Sequence, residues 1–315
     1  EKINVKKMLI NSSIILFITN IFLGLATSYE LFLFFRVIEA LVVPAILTSL
    51  MSILANIDKE NIKFNMSIYV ASTVFGGLVG RIFSGFIATN LSYEFVFYSL
   101  SLAILVSIYF ISKLSYEGKA TISKPKITDV MEILKDKRFL ITYFLMFCVF
   151  FVFSGVLNIL PFRVKEISSN VSEFQISLLY LGYGMGILIS LNSSKIVKFF
   201  KNELNTILFG LIFFLFITIF LIQENIIFIF LLIFLFCVGM FTVHTVSTGL
   251  ANSMKESQKS LTSGMYLSFY YLGGALGSFL PSIIYEKFGW NVVIYMFCII
   301  LLITFILVIS KRKLF

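Results

Sequence analysis

Apolar residues run along this chain in blocks of about 20, and polar residues gather in the short intervals between them. Ten blocks stand out, at 8–28, 31–56, 66–90, 93–113, 139–161, 174–199, 204–222, 225–250, 261–284 and 289–310. At about 1.5 Å of rise per residue, each is long enough to cross a hydrocarbon layer about 30 Å thick as an α-helix. None alternates polar and apolar residues in the short runs of a membrane β-barrel. The pattern predicts an all-α membrane protein with ten spans.

Composition agrees: 59% of the 315 residues are hydrophobic and 13% are charged. Soluble domains carry about 25% charged residues, and no single core could hide this much apolar surface. Lipid is therefore the expected solvent. The net charge of +9 does not point to nucleic acid, because the basic residues sit between the apolar blocks and form no stripe.

Their placement sets a direction. One alternating set of connections comprises the N-terminus, 57–65, 114–138, 195–203, 251–260 and the C-terminus. Counting Lys113 at the edge of its span, that set holds 20 of the 25 basic residues. The opposite set holds Arg163, Lys165 and Lys287, and Arg36 and Arg81 fall inside spans. Positive charge stays on the cytoplasmic side, so both ends are expected in the cytoplasm of a bacterial-type cell, at its inner membrane. The polar stretch 114–138 becomes a cytoplasmic linker between an N-terminal bundle of four spans, 1–113, and a C-terminal bundle of six, 139–315. Cys148, Cys237 and Cys298 lie in separate blocks without ligand spacing, so neither a metal site nor a cofactor is expected.

Two regions repeat at an offset of 197 residues. Gly76, Gly77 and Gly80 fall on Gly273, Gly274 and Gly277; Tyr69 falls on Tyr266, Ile87 on Ile284, Val96 on Val293 and Tyr98 on Tyr295. Tyr93 and Trp290, each opening the following span, coincide as well, and such rings favour membrane interfaces. The third and fourth spans thus match the ninth and tenth, six spans later, so both copies are expected to point the same way. Parallel six-helix repeats are a transporter architecture. On that count the first half lacks two helices ahead of residue 1. The chain, which starts with Glu1 and has no signal-peptide pattern, then reads as a fragment or an incomplete record.

These residues resemble the major facilitator superfamily, specifically its bacterial solute- and drug-efflux branch, over essentially the whole chain. Glu1-Lys2-Ile3-Asn4-Val5-Lys6-Lys7 is similar to the end of the family's loop between helices two and three. Arg36-Val37-Ile38-Glu39-Ala40 is similar to the arginine motif of its fourth helix. Gly76-Gly77-Leu78-Val79-Gly80-Arg81 falls at its fifth-helix antiporter motif, with Gly77 in place of proline and Arg81 in place of glycine. The resemblance implies a two-bundle fold with ten of twelve transmembrane helices present. It implies a central cavity, alternating access by rocking, a monomer, and efflux driven by protons. A drug-like, sugar or amino-acid-like solute is the implied substrate class, and fold alone does not choose among these.

A charged side chain at mid-bilayer costs at least about 2.5–3.5 kcal/mol, so such residues tend to be functional and paired. Arg36 and Glu39 stand three apart on one helix and can pair. Reflection about the hairpin near residue 61 brings Arg81 to a similar depth, which predicts one acid between two bases. Glu39 is then a candidate proton carrier, Arg36 its modulator, and Arg81 a second base or a seat for an anionic substrate; a permanent salt bridge locking two helices is the alternative. His244, the only histidine, stands among Thr242, Thr245, Ser247 and Thr248; it offers either a proton relay or a packed hydrogen-bonded imidazole. Asn158 and Gln223 read as interface residues, Pro44, Pro161 and Pro281 as helix bends, and Gly182, Gly184 and Gly186 as a packing face. The glycines of the repeat read as helix-packing or gating positions.

Competing classes are a truncated, non-transporting fragment and a facilitator or symporter without proton antiport. An intramembrane enzyme would need clustered acids, a Ser/His pair or metal ligands, and one histidine with one intramembrane acid supplies neither. A receptor or scaffold has no extramembrane domain to work with.

Overall fold

The computed structural model describes residues 2–57, 62–115, 119–121, 127–254 and 259–314. The connecting residues 58–61, 116–118, 122–126 and 255–258, and the Tyr69 side chain, lie outside the described residues. The helices are α1 (Val5–Leu25), α2 (Tyr29–Ile57), α3 (Ile62–Asn90), α4 (Tyr93–Lys113), α5 (Ile127–Lys135), α6 (Lys137–Ile167), α7 (Glu173–Leu178), α8 (Gly184–Phe199), α9 (Glu203–Phe220), α10 (Ile226–Ser253) and α11 (Lys259–Ser310). A 3-10 turn, Leu179–Tyr183, joins α7 to α8 as one span.

Among the described residues nine helices are long and apolar enough to cross a membrane. The last, Gly264–Ser310, has 47 residues, about twice what one crossing needs. It breaks at Gly289 (φ 79°, ψ 177°), a backbone conformation that a side chain opposes. Residues 259–288 and 290–310 are therefore two limbs, and ten crossings result, as the hydropathy pattern predicts. The break falls at Gly289 and not at Pro281, which lies inside the first limb. Pro44 and Pro161 also lie inside their helices.

The chain forms two compact units, residues 1–124 with 172–178, and residues 125–171 with 179–315. In the first, α1 packs against α2 and α4. Asn4 caps α1 by accepting from the Lys7 amide at 2.9 Å. Lys6 reaches the end of α4 and donates to the carbonyls of Ser112 (3.0 Å) and Leu114 (2.5 Å), which no helical N–H can satisfy. Val5, Leu9 and Ile53 form a small core with Ile46, Leu50 and Ile111. The Tyr98 hydroxyl donates to the Gly24 carbonyl at 3.0 Å, and its ring occupies the space a Cβ on Gly24 would need. The segment α7 packs on α3, where the Phe174 amide donates to Thr89 Oγ1 at 2.9 Å. Two three-residue strands, β1 (Lys2–Asn4) and β2 (Lys119–Thr121), pair antiparallel beside these helices, an addition that hydropathy does not reveal.

In the second unit α6 is the central post, with 72% of its core span buried against 11% for α3. Gly273 and Gly277 of α11 press on the Phe147 and Phe151 backbone carbonyls of α6, leaving no room for a Cβ. That constant spacing means the two helices run parallel. Phe153, Phe214, Phe236 and Phe241 form an aromatic core, with Phe214 and Phe236 centroids 4.5 Å apart. Trp290 donates its indole N–H to the Leu221 carbonyl at 2.7 Å, fixing the start of the last limb. Gly182 and Gly186 meet Ile233 and Phe241 of α10, whereas Gly184 touches nothing across the interface. Cys148, Cys237 and Cys298 are free thiols.

Candidate functional site

The first unit carries a charged cluster inside its apolar spans. Arg36 and Glu39 are one turn apart on α2, and the Arg36 guanidinium donates through Nη1 to Glu39 Oε2 at 2.6 Å. The Glu39 side chain is 8% exposed while that of Arg36 is 55% exposed, so the acid is buried and the base looks outward. The other carboxylate oxygen, Oε1, accepts from Asn20 Nδ2 of α1 at 2.6 Å. That amide also donates to the Leu16 carbonyl at 2.8 Å, and its Oδ1 is buried with no hydrogen-bond partner.

Asn20 was not foreseen. Its signal is an amide in the middle of an otherwise apolar block, fully buried in the fold. Arg81 lies elsewhere: its guanidinium donates to the Gly77 carbonyl four residues back on α3, at 3.2 Å, and it is not among the partners of Glu39. Reflection about the hairpin gives depth but not rotation about the helix axis, and rotation turns Arg81 back along its own helix. One acid between a base and an amide replaces the expected acid between two bases.

Gly76 and Gly80 of α3 have open space where a Cβ would stand, and Gly77 has only the Arg81 guanidinium, 3.5 Å away. Their counterparts Gly273, Gly274 and Gly277 are packed tight against Phe147, Phe150 and Phe151. The two copies of the glycine pattern lie in different units.

The second unit carries hydroxyl, amide and imidazole groups within its spans, and its ion pairs, Arg163 with Glu166 (3.2 Å) and with Glu224 (3.0 Å), stand near the end of α6. His244 of α10 sits with Nδ1 3.0 Å from the Tyr266 hydroxyl, and that hydroxyl donates to the His244 carbonyl at 3.2 Å. Its ring stacks on Tyr270 at 4.9 Å, and Tyr270 stacks on Phe150 at 3.7 Å. Thr248 donates to the same carbonyl at 2.7 Å, Thr242 donates to the Val238 carbonyl, and Thr245 pairs with Ser190. The imidazole thus ties α10 to α11. Asn158 bonds Ser154 on its own helix and Ser278 on α11. Gln223 closes the turn into α10 through Asn225. Among the described residues no group of His, Cys, Asp or Glu has the arrangement of a metal site.

Comparison with known proteins follows the same lines. The family model described as Major Facilitator Superfamily matches residues 1–254 and, in a second overlapping match, 170–313. An uncharacterized transporter of Buchnera aphidicola subsp. Schizaphis graminum (strain Sg) is 23% identical over 99% of this chain and 77% of its own length. A second, from Buchnera aphidicola subsp. Baizongia pistaciae (strain Bp), is 22% identical over 84% of this chain and 66% of its own length. Among solved structures, a mutant of the nucleoside transporter NupG superposes with a TM-score of 0.75 at 13% identity, covering 98% of this chain and 83% of that one. A bacterial homologue of the human lysosomal transporter Spinster, in an inward-facing and occupied conformation, gives 0.77 at 16% identity, covering 100% and 83%. At such identities the two structures establish a shared fold. The chain belongs to the Major Facilitator Superfamily, and it is a multi-pass membrane protein of a family of solute transporters.

Proposed function

We propose that this protein exports a small drug-like, sugar or amino-acid-like solute by alternating access, driven by the proton gradient, with Glu39 as the proton site. The observation that carries the reading is the Arg36–Glu39–Asn20 cluster. A buried carboxylate needs a reason to remain in a membrane protein, and a proton relay is one such reason. The cluster can satisfy both protonation states. The anion accepts from Arg36 and from the Asn20 amide N–H. The acid has a hydroxyl to donate, and the unpartnered Asn20 Oδ1 becomes its acceptor once the amide turns over.

The distribution of Lys and Arg supports a cytoplasmic location for both ends, in a bacterial cell. The working form is a monomer, with a helical bundle on each side of the 114–138 linker. Arg81, which donates to the Gly77 carbonyl, is read as a second base of the pathway; His244 is read as a packing residue of α10 and α11. Export assays on purified protein in proteoliposomes, with a candidate solute inside and a proton gradient imposed, test the proposal. Transport should collapse on adding a protonophore. Transport indifferent to the protonophore removes Glu39 from its role and favours a facilitator.

A further inference from the structure

The second unit contains one polar cluster that packing does not explain. Asn158 of α6 donates through Nδ2 to the Ser154 carbonyl (2.8 Å), with further contacts to Ser154 Oγ (3.3 Å) and Ser278 Oγ (3.1 Å). The two serine hydroxyls are 2.6 Å apart, and Ser278 donates to the Gly274 carbonyl at 2.8 Å. The protons can be counted. With the Ser278 hydrogen on Gly274, the hydrogen between the serines belongs to Ser154, and both amide hydrogens are engaged. Every donor of the cluster is consumed internally. What is left is an acceptor, Asn158 Oδ1, which no described residue fills.

This acceptor is exposed, as is Ser278. Ser278 lies eight residues before Glu286, the nearest charged residue on its helix, which is about 12 Å along the axis. An amide oxygen at that depth is costly against hydrocarbon, and exposed polar groups within spans face water-filled cavities. A few residues along the same helices, Phe147 and Phe151 seal the contact with Gly273 and Gly277. The seam between α6 and α11 is dry at those glycines and polar beside them.

We propose that Asn158 is a substrate-contacting residue, supported by Ser154 and Ser278, and that it accepts a hydrogen bond from an uncharged solute bearing O–H or N–H groups. The inference rests on the carrier reading above and names the solute class for it. No acid, lysine or arginine takes part in the cluster, so it has no charge to pair with an ion. An anionic group opposite Oδ1 is repelled, and a cation without donors gains no hydrogen bond. Of the classes considered, polyols and amide-bearing solutes fit, whereas carboxylates and quaternary cations do not.

Thiol labelling tests this without a proton gradient, so its outcome is separate from that of the protonophore assay. In the chain with Cys148, Cys237 and Cys298 replaced by alanine, Asn158→Cys is labelled with a charged methanethiosulfonate that reacts only in water. Phe216→Cys, at a site 54% exposed in the apolar helix α9, is the lipid-facing reference. Labelling at 158 should be at least about tenfold faster, given the cost of bringing a charged reagent into hydrocarbon. Millimolar myo-inositol or uridine should slow labelling of Ala275→Cys, an exposed position one turn from Ser278 that keeps Asn158, and benzoate or tetraphenylphosphonium should not. The same two neutral probes should raise the melting temperature of the native chain and leave that of Asn158→Leu unchanged. Labelling as slow as at 216, protection by the ions alone, or no effect of either neutral probe in both measurements overturns the proposal.

Discussion

The same three-glycine pattern serves two different ends in the two units. In α11, Gly273 and Gly277 let the helix lie directly on the α6 backbone, and Gly274 takes the Phe150 ring. In α3, a Cβ at Gly76 or Gly80 would meet no described residue, and one at Gly77 would meet only Arg81 among them. The residues that fill the contact in the second unit belong to α6, and at the repeat offset of 197 they have no counterpart within the chain. A glycine face is a permission for close approach, not a contact in itself. The units also differ in the chemistry of their buried polar groups. Inside its spans the first keeps an ion pair with an amide, Arg36 and Glu39 with Asn20; the second keeps hydroxyl, amide and imidazole contacts, His244 with Tyr266 and Asn158 with Ser278, and its ion pairs of Arg163 with Glu166 and Glu224 stand near the end of α6. Ion coupling in one unit and solute contact in the other is the division this contrast supports.

The contrast can be broken by substitution. Arg36→Ala should have the largest effect, abolishing transport while the protein still inserts. It leaves Glu39 a buried carboxylate short of its ionic partner, at a cost of about 3 kcal/mol. Transport assays and membrane-fraction immunoblots together check this, and unchanged transport refutes the weight placed on Arg36. Next come Gly273→Ala and Gly277→Ala, which force α11 away from α6 and should lower stability by about 1–3 kcal/mol in detergent unfolding. His244→Phe should follow, losing about 1 kcal/mol with its Tyr266 hydrogen bond and leaving transport intact. Smallest of all, Gly76→Ala and Gly80→Ala should change stability by less than about 0.5 kcal/mol. If the two glycine sets respond alike, the difference between the units is wrong.

Length and hydropathy were sufficient for the ten crossings, because each block must satisfy its own backbone hydrogen bonds within lipid. They also located the last break to within a few residues, since the blocks 261–284 and 289–310 are separated next to Gly289. The Arg36–Glu39 pair was legible because it lies on one helix at a spacing that chain geometry dictates. Asn20 was not, since its contact with Glu39 depends on how α1 is rotated against α2. Uniformly apolar helices leave that rotation unspecified. The same ambiguity hid the turn of Arg81 onto Gly77 and the meeting of Asn158 with Ser278. Helix α5 and the β1–β2 pair fall in polar stretches where hydropathy carries no signal.

The most direct test of coupling through the first unit compares two modes of transport in Glu39→Gln. Glutamine keeps the size of the side chain and its hydrogen-bonding capacity but cannot carry a proton. Exchange of labelled for unlabelled solute across proteoliposomes should persist in this variant, while accumulation against a solute gradient, driven by an imposed pH difference, should vanish. Accumulation at the native level in Glu39→Gln would contradict the account.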